Sequence, residues 1–276
     1  MSEILTSLSN PLVKQARSLR QKKFRDESGL FLVEGLAHVG SAVEAGWQMD
    51  AVLYAPERLR SDFGLGLLQK LERARVRCQP VSAAVFESFA EKENPQGIAA
   101  LVRQRQLGLA ELLPAMQRSP QPLFAALVTP QDPGNVGAIL RTLDAVDGAG
   151  LFLLDGGVDP FHPSCVRASM GALFNVPFVQ ADFSDFAAWA AANGLRLVAT
   201  SARAELDYRQ CKLDERPTVV VLGSEQKGLT AEHLAFCAER VSLPMRGQVS
   251  SLNLAVAAGV LLYALADPPA VSGALK

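Results

Sequence analysis

Three polar loops, far apart along the chain, contain the residue types best suited to chemistry. The first loop, residues 129–137, is rich in Gly and polar residues and leads into a helical segment that carries Arg141. A turn of this kind exposes backbone N–H groups at the positive end of a helix, where an anion is stabilised. Asn135 and Arg141 are its candidate functional side chains. The structural alternative is that Asn135 caps the helix and that Arg141 is a surface ion-pair partner.

The second loop, residues 221–229, places Gly223, Ser224 and Glu225 directly after an apolar segment. Its glycine spacing matches neither the P-loop fingerprint nor the dinucleotide-binding fingerprint, which argues against both classes of nucleotide site. The alternative to a functional role is a simple polar turn at the end of a buried strand.

The third loop, residues 243–253, runs into a helix whose other residues are almost all Ala, Val, Leu or Gly. Asn253 lies in the first turn of this predicted helix. A polar amide that enters such an apolar element needs a hydrogen-bond partner if it is buried. We therefore predict a specific hydrogen bond for Asn253. Ser250 or Ser251 is a candidate N-cap of the same helix.

Buried apolar strands that alternate with helices must position these loops. From Phe124 onward the predicted strands are residues 125–129, 151–154, 176–179, 196–200, 218–222 and 241–243. Continuous apolar strands separated by helices are typical of a parallel sheet covered on both faces, and such sheets bind ligands outside the carboxyl ends of their strands. A smaller α/β unit precedes them, and it begins with a helical pattern over residues 4–25. One of the predicted helices between the strands covers residues 164–172. The predicted organisation is an N-terminal domain (1–105), a linker (106–121), a C-terminal domain (122–268) and a tail (269–276).

The positive charge is concentrated near the N-terminus, although the net charge of the 276 residues is only −1. The concentrated residues are Lys14, Arg17, Arg20, Lys22, Lys23 and Arg25. Such a cluster is suited to contact phosphates, and the alternative is the solvated face of an ordinary helix. With 20% charged and 49% hydrophobic residues, the composition excludes a disordered acidic or basic tail protein.

The sequence does not support a secretory signal, a membrane-spanning segment or a metal site. No signal peptide is expected, and the longest apolar stretch, Leu254–Ala266, is too short to cross a bilayer. The four cysteines form no C-x-x-C pair, and the three histidines have no metal-ligand spacing. We expect a cytoplasmic protein with free thiols, no metal and no membrane partner.

In this order and at these spacings, the three loops resemble the motifs of the SpoU-type (TrmH-like) RNA ribose 2′-O-methyltransferases of the SPOUT class. The matching residues are Asn135, Gly137 and Arg141; Gly223, Ser224, Glu225 and Gly228; and Leu243, Pro244, Met245, Gly247, Ser251, Leu252 and Asn253. Residues 159–174 and segments of the first hundred residues are also similar to this family. One departure is Ser164 and Cys165, where members often carry a Lys.

The resemblance implies an α/β fold in which a C-terminal parallel-sheet domain with a trefoil knot follows a small RNA-binding domain similar to ribosomal RNA-binding proteins. It implies S-adenosylmethionine as cofactor, methylation of a ribose 2′-hydroxyl in RNA (rRNA rather than tRNA), and a homodimer in which both subunits line each active site. A catalytically silent RNA-binding or ribosome-assembly protein of the same fold is the alternative. A nucleotide-dependent oxidoreductase is disfavoured by the missing phosphate fingerprint.

The resemblance also implies roles for individual residues. The catalytic set is Asn135, Arg141, Glu225, Ser251 and Asn253. The cofactor-binding set is Thr200, Ser201, Leu222, Gly223, Leu243, Met245, Ser251 and Leu252. The basic cluster and Arg167 are expected to contact RNA. The family assigns activation of the hydroxyl to the position of Arg141, but a guanidinium hardly ever loses its proton, so holding a phosphate or stabilising the forming alkoxide are the other possible roles.

Overall fold

The computed structural model describes residues 3–91, 94–211 and 214–266. Its strands are β1 (Leu30–Glu34), β2 (Met49–Tyr54), β3 (Cys78–Pro80), β4 (Ile98–Arg103), β5 (Leu123–Val128), β6 (Gly150–Leu154), β7 (Phe178–Ala181), β8 (Arg196–Thr200), β9 (Leu206–Asp207), β10 (Thr218–Leu222) and β11 (Glu239–Ser242). Its α-helices are α1 (Pro11–Ser18), α2 (Lys22–Ser28), α3 (Leu36–Glu44), α4 (Asp62–Arg73), α5 (Ala83–Glu87), α6 (Pro133–Ala145), α7 (Pro163–Ala168), α8 (Ala172–Asn175), α9 (Phe183–Ala192), α10 (Ala231–Ala235) and α11 (Leu254–Leu265). Two 3-10 helices cover Leu109–Gln117 and Tyr208–Gln210.

These elements form two compact units. Unit 1 contains the residues up to Arg105 together with Asp159–Phe174, and unit 2 contains Gln106–Val158 and the residues from Asn175 onward. The chain therefore leaves unit 2 after β6, contributes a short segment to unit 1, and returns before β7. The sequence pattern predicts that segment within the C-terminal domain, because local spacing shows only a helix and not the surface on which the helix packs.

Unit 1 is built on a four-stranded mixed sheet in the order β1-β4-β2-β3. The strand β4 is antiparallel to both of its neighbours, and β3 is parallel to β2. The helix α1 begins where the Asn10 side chain accepts a hydrogen bond from the Leu12 N–H and Pro11 occupies the first turn. Its apolar face, together with Phe86 of α5 and the following Phe89, forms part of the core over the sheet.

The Asp159–Phe174 segment is joined to unit 1 by aromatic packing and by a buried ion pair. The ring of Phe161 lies 4.7 Å from that of Phe31, and Phe174 lies 5.4 Å from Trp47, whose indole N–H donates to the Phe174 carbonyl at 3.0 Å. Arg25 and Asp159 form the ion pair.

Unit 2 is built on a seven-stranded sheet in the order β7-β6-β5-β10-β8-β11-β9, and every neighbouring pair is parallel. Its central strands are buried throughout, as expected for a sheet covered on both faces. The core on one face includes Phe124, Phe152 and Phe186, with Phe152 in ring contact with the other two. The predicted α/β fold with a parallel-sheet domain is confirmed.

Several local predictions are corrected. The helical pattern of residues 4–25 is divided between α1 and α2, and α2 ends at Gly29 with a positive φ of 64°. The predicted helix over residues 164–172 is interrupted at Met170 and Gly171, which both have positive φ values. Strands β3 and β9, of three and two residues, are too short to show a recognisable alternation.

The predicted linker, residues 106–121, contains the 3-10 helix Leu109–Gln117, whose Leu112 and Ala115 are buried in the core of unit 2. The predicted tail, residues 269–276, lies outside the described residues, and the domain boundaries stay a prediction. Within residues 3–91, 94–211 and 214–266, no helix combines the length and the apolar character that crossing a membrane requires.

Candidate active site

The first predicted loop leaves the carboxyl end of β5 and enters α6. Asp132 is the N-cap of this helix, because its side chain accepts a hydrogen bond from the Gly134 N–H at 2.7 Å, and Pro133 occupies the first turn. The alternative in which Asn135 caps the helix is therefore wrong. Asn135 is buried in the first turn, and its amide is free to bond to other elements.

A chain of hydrogen bonds connects all three predicted loops through their polar side chains. Asn253 Nδ2 donates to Asn135 Oδ1 at 3.0 Å, and Asn135 Nδ2 donates to Glu225 Oε1 at 2.9 Å. Glu225 Oε2 also accepts from the backbone N–H of Gln131 at 3.2 Å. Residues separated by 118 and 90 positions in sequence are thus in direct contact, and the hydrogen bond predicted for Asn253 is confirmed. We call Asn253, Asn135 and Glu225 the amide relay.

The amide relay has a fixed direction. Asn253 Oδ1 accepts hydrogen bonds from the backbone N–H groups of Ala255 and Val256, at 2.9 and 3.3 Å, so its Nδ2 must be the group that faces Asn135. Asn135 then presents its oxygen to Asn253 and its NH₂ to the carboxylate, which can only accept when ionised. Each amide therefore has one compatible orientation, and the N-cap of α11 determines which atom of Asn135 faces Glu225.

Asn253 is consequently the N-cap of α11, whereas the sequence pattern predicts it in the first turn. Ser250 and Ser251, the predicted candidates for this cap, are exposed and lie before the helix. The structure thus does not bring Ser251 into the amide relay.

The second loop folds back on itself around Gly223. A Cβ atom built on Gly223 would lie 2.1 Å from the carbonyl carbon of Gly228, so only glycine fits at this position. The Gly228 N–H donates to the Ser224 carbonyl at 2.9 Å, and Gly228 has a positive φ of 64°. The requirement for glycine therefore comes from the packing of the loop itself.

One cavity of about 690 Å³ lies at the ends of β8, β10 and β11, between the second and third loops. All eight predicted cofactor-binding residues line it: Thr200, Ser201, Leu222, Gly223, Leu243, Met245, Ser251 and Leu252. Glu225 also lines the cavity, so the amide relay ends on its wall. Its volume lies in the range of about 300–1,000 Å³ that is typical of small-molecule sites.

The cavity has lining residues that the motifs do not predict. Arg203, Gln226 and Lys227 bring polar and positively charged groups, and Leu234 and Ala257 bring apolar surface. Gln226 and Lys227 belong to the second loop but are not among the residues that match the motif. Backbone donors such as the Gln131 N–H have no signal in a sequence at all.

Arg141 does not contact the amide relay. It is exposed on α6, and its side chain forms no hydrogen bond or ion pair with any residue that the structure describes. Asn135 and Arg141 are six positions apart, which places them about 120° apart around a helix. Of the five predicted catalytic residues, the structure brings three together directly and places Ser251 on the cavity wall.

The predicted RNA-binding residues of unit 1 differ in accessibility. Lys14 is exposed, Lys22 and Lys23 are exposed and pair with Asp26 and Glu27 one turn later, and Arg17 and Arg20 donate to Ser88 and to the Ala90 carbonyl. Exposed pairs of this kind hold their side chains weakly.

Arg25 is the exception and corrects the prediction of an RNA contact. Its side chain is 1% exposed, it binds Asp159 through Nε and Nη2 at 2.8 and 2.6 Å, and Nη1 donates to the carbonyls of Leu19 and Arg20. A guanidinium enclosed in this way cannot contact a phosphate. Its basic character in the sequence reflects an internal ion pair with a residue 134 positions away.

The free thiols do not form a reactive site. Burial raises the pKa of Cys237 to about 11 and that of Cys78, which also lies near Glu72, to about 11. Burial also raises the pKa of Cys165. In the part of the chain that the structure covers, no group of three or more His, Cys, Asp or Glu side chains could hold a metal ion.

Two family models match the chain. The model described as the SpoU rRNA Methylase family matches residues 122–263, and the model described as the MRM3-like substrate binding domain matches residues 10–100. Among curated proteins, a 23S rRNA (guanosine(2553)-2′-O)-methyltransferase from Bacillus subtilis is 30% identical over 95% of this chain and 98% of its own length. An uncharacterised tRNA/rRNA methyltransferase from Synechocystis is 34% identical over 94% of this chain and 92% of its own.

Solved structures agree with this match. The AdoMet-bound rRNA methyltransferase from Sinorhizobium meliloti superposes with a TM-score of 0.83 at 34% identity, and the alignment covers 95% of this chain and 97% of that one. The SpoU methyltransferase AviRb from Streptomyces viridochromogenes in complex with AdoMet gives a TM-score of 0.79 at 29% identity over 92% and 96% of the two chains.

Proposed function

The chain belongs to the SpoU rRNA methylase family, and from that premise we propose that it transfers a methyl group from S-adenosylmethionine to a ribose 2′-hydroxyl of ribosomal RNA in the cytoplasm. The observation that carries the proposal is the convergence of Asn135, Glu225 and Asn253 beside one cavity. Relatives that act on 23S rRNA favour ribosomal over transfer RNA.

The cavity fits the cofactor in size and in chemistry. Its wall combines apolar side chains such as Leu222 and Leu243 with hydroxyls and backbone groups of loops, which suits an adenosine joined to an amino acid. S-adenosylmethionine, when bound, supplies an electrophilic methyl group on a positively charged sulfur. The Glu225 carboxylate lies on the wall of the same cavity, where it would attract positive charge.

The amide relay acts by positioning. Asn135 and Asn253 make no contact that moves a proton; they hold Glu225 and join it to the N-cap of α11. Because misplacement by an ångström can cost a large factor in rate, a relay with a single orientation is well suited to align an RNA ribose with the cofactor.

We assign Arg141 to contact with the RNA substrate. A guanidinium is a hydrogen-bond donor and not a base, so Arg141 stabilises the 2′-oxygen while the hydroxyl proton passes to solvent, or it holds the adjacent phosphate. Its exposure and its lack of bonds to described residues in its own chain support a position in which it completes the site of a second subunit.

A homodimer follows from the same reasoning. The helix α11 exposes Val256, Val260 and Tyr263, which is 62% exposed, at a spacing that places them on one face. An apolar helix face of this kind is typical of a buried interface. We assign it to contact with a second copy of the chain, which would bring Arg141 of each copy to the other.

A trefoil knot is also part of the proposal. The strand order β5-β10-β8-β11 and the packing of α11 against α6, β5 and β10 bring α11 back beside the first motif. We propose that the third loop reaches this position by passing through an earlier loop of unit 2.

The test combines methyl transfer with cofactor binding. Ribosomal RNA and assembled subunits are incubated with the protein and radiolabelled S-adenosylmethionine, and 2′-O-methyl positions are mapped. We expect Arg141→Ala to abolish incorporation and to leave calorimetric affinity for the cofactor unchanged, whereas Arg216→Ala, an exposed arginine paired with Asp214, serves as the control. Native protein that binds the cofactor but methylates no RNA would instead be a silent RNA-binding protein, and a fully active Arg141→Ala variant would remove the role of Arg141.

A further inference from the structure

Unit 1 contains a small recess, remote in sequence from the motif loops. It is lined by Leu32, Glu34, His38, Glu91, Pro163, Val166 and Arg167, and it measures about 30 Å³ with an open side. A space of this size holds about one water-sized group. It therefore admits an amino or imino group at the edge of a ligand, while the remainder of the ligand stays in the mouth.

The recess contains a carboxylate oxygen that lacks a donor. Glu34 Oε2 accepts from the Glu91 backbone N–H at 2.7 Å, whereas Glu34 Oε1 is buried and has no hydrogen-bond partner among the described residues. Glu34 is the last residue of β1, and the turn after it requires Gly35, whose φ is +100°. A buried acceptor without a donor costs free energy, which a ligand with an N–H group would recover.

The rim of the recess carries a guanidinium that is paired with a second carboxylate. Arg167 is 52% exposed, and its Nη1 pairs with Glu91 Oε2 at 3.0 Å. Between rim and base lie the apolar side chains of Leu32, Pro163 and Val166. The arrangement thus has an acceptor at its base, an apolar wall and a guanidinium at its mouth.

We propose that this recess reads the edge of one unstacked nucleobase of the RNA substrate, with a preference for guanine, and that Arg167 binds the phosphate of the same nucleotide. The inference rests on the proposed function for its ligand class. Sequence-specific proteins commonly read RNA through unstacked bases, whose Watson–Crick edges are open to hydrogen bonding.

Guanine is favoured by the pattern of donors. Its N2–H₂ and N1–H groups are adjacent on one edge, so an amino group that enters the recess donates to Glu34 Oε1 and its neighbour on that edge is a second donor, not an acceptor that would face the carboxylate. Adenine and cytosine offer one amino group beside a ring acceptor. Uracil offers one N–H between two carbonyl oxygens, which would face the carboxylate unfavourably.

The test uses binding of mononucleotides to the full chain, followed by NMR titration. We expect guanosine 5′-monophosphate to bind more tightly than inosine 5′-monophosphate, which lacks the 2-amino group, and both to bind more tightly than uridine 5′-monophosphate. In Glu34→Gln, an amide NH₂ can take the place of Oε1, where it would face the N–H donors of guanine instead of accepting from them. Its affinity for the guanine nucleotide should fall about tenfold, the effect of losing one hydrogen bond to a charged group.

Two controls make the result specific. Glu44→Gln removes the same charge from an exposed position of unit 1 and should leave nucleotide binding unchanged. Ribose 5-phosphate reports phosphate binding without a base. The proposal is overturned if Glu34→Gln binds the guanine nucleotide like the native chain, if the three nucleotides bind alike, or if ribose 5-phosphate binds as tightly as they do.

The failure of this inference can be told apart from failure of the proposed function. Calorimetry with S-adenosylmethionine and methylation of ribosomal RNA report on unit 2 and on the reaction. A methylating protein with no base preference in unit 1 refutes only the recess. A protein that binds the guanine nucleotide through Glu34 but transfers no methyl group refutes only the reaction.

Discussion

Two sets of polar contacts join distant parts of the sequence, and they differ in whether a polar group remains accessible to a ligand. In unit 1, Arg25 and Asp159 form a charged pair whose guanidinium is enclosed and whose donors are bound on three sides. In unit 2, the amide relay is neutral over two residues and ends on Glu225, a carboxylate that borders a cavity. A polar group that is buried and fully hydrogen-bonded stabilises the fold. A chain of hydrogen bonds that ends at a cavity can instead act on a ligand.

The largest loss of stability is expected from breaking the Arg25–Asp159 ion pair. Arg25→Ala leaves Asp159 buried and unpaired, so the free energy of unfolding of unit 1 should fall by about 3–5 kcal/mol. Lys22→Ala, which breaks an exposed pair with Asp26, should change it by less than about 1 kcal/mol. Denaturant unfolding measures both. Equal losses in the two variants would show that the enclosure of Arg25 has no energetic consequence.

The next effect tests the direction of the amide relay. In Asn253→Asp, the N-cap is kept, but the second oxygen faces Asn135 Oδ1, and Asn135 must turn its oxygen towards Glu225. We expect a loss of about 1–3 kcal/mol in unfolding free energy, the cost of a buried acceptor without a donor. Denaturant unfolding of this variant beside the native chain measures the loss.

Adding Glu225→Gln should reverse the relay and restore the lost bonds. The new amide at position 225 would donate to Asn135, and Asn135 would donate to the new carboxylate at position 253, so every group again has a partner. The double variant should be more stable than Asn253→Asp, and a double-mutant cycle measures the difference. Asn253→Asp with Glu232→Gln has the same net charge change at an exposed site and should show no recovery. Absence of coupling in the first pair would contradict the directional relay.

A smaller effect, on RNA binding, is expected from replacing the exposed basic residues of unit 1. Replacing Lys14 and Lys22 by Gln should weaken RNA binding and flatten its dependence on salt, by a slope of roughly 0.7–0.9 for each phosphate that is no longer bound. Arg17→Gln serves as a comparison, because this side chain is already bonded to Ser88. Filter binding at several salt concentrations gives the slopes. Unchanged slopes would show that the cluster is an ordinary solvated face.

The last comparison concerns thiol reactivity in the two units. Because burial raises the pKa of Cys78 and Cys237 to about 11, both are protonated near pH 8, and alkylation should be about 100-fold slower than for a thiol with the ordinary pKa of 9.0. The rate should rise about tenfold per pH unit up to a pH of about 11. In Arg25→Ala, Cys78 should label faster, while Cys237 stays protected. Equal acceleration at both cysteines would argue against separate effects on the two units.

The contrast between the two links also marks what the sequence could predict. Asn253 stands out because an amide beside an apolar helix needs a partner, and motif spacing identified Asn135 and Glu225 as members of one site. The RNA contact predicted for Arg25 is wrong, because the local sequence shows that a side chain is charged but not that it is buried. Its partner lies 134 residues further on, and no local pattern encodes that pairing.

Strand order was the other part that local patterns could not provide. The apolar runs predicted buried parallel strands, but the placement of β10 between β5 and β8 depends on contacts between distant segments. The helical pattern near Val166 likewise gave no sign that this helix packs in unit 1. Its local periodicity indicates an apolar face, and any buried surface would satisfy that requirement.

The excursion of residues 159–174 has a consequence for the order in which the protein is made. When Arg105 leaves the ribosome, Phe31 and Trp47 still lack their aromatic neighbours Phe161 and Phe174, and the charge of Arg25 is uncompensated. The first unit to be translated is therefore completed only after the first part of the second, residues 106–158, has been synthesised. A recombinant fragment that ends at residue 105 would expose this unfinished surface, so exchanging unit 1 between relatives requires three junctions in the chain.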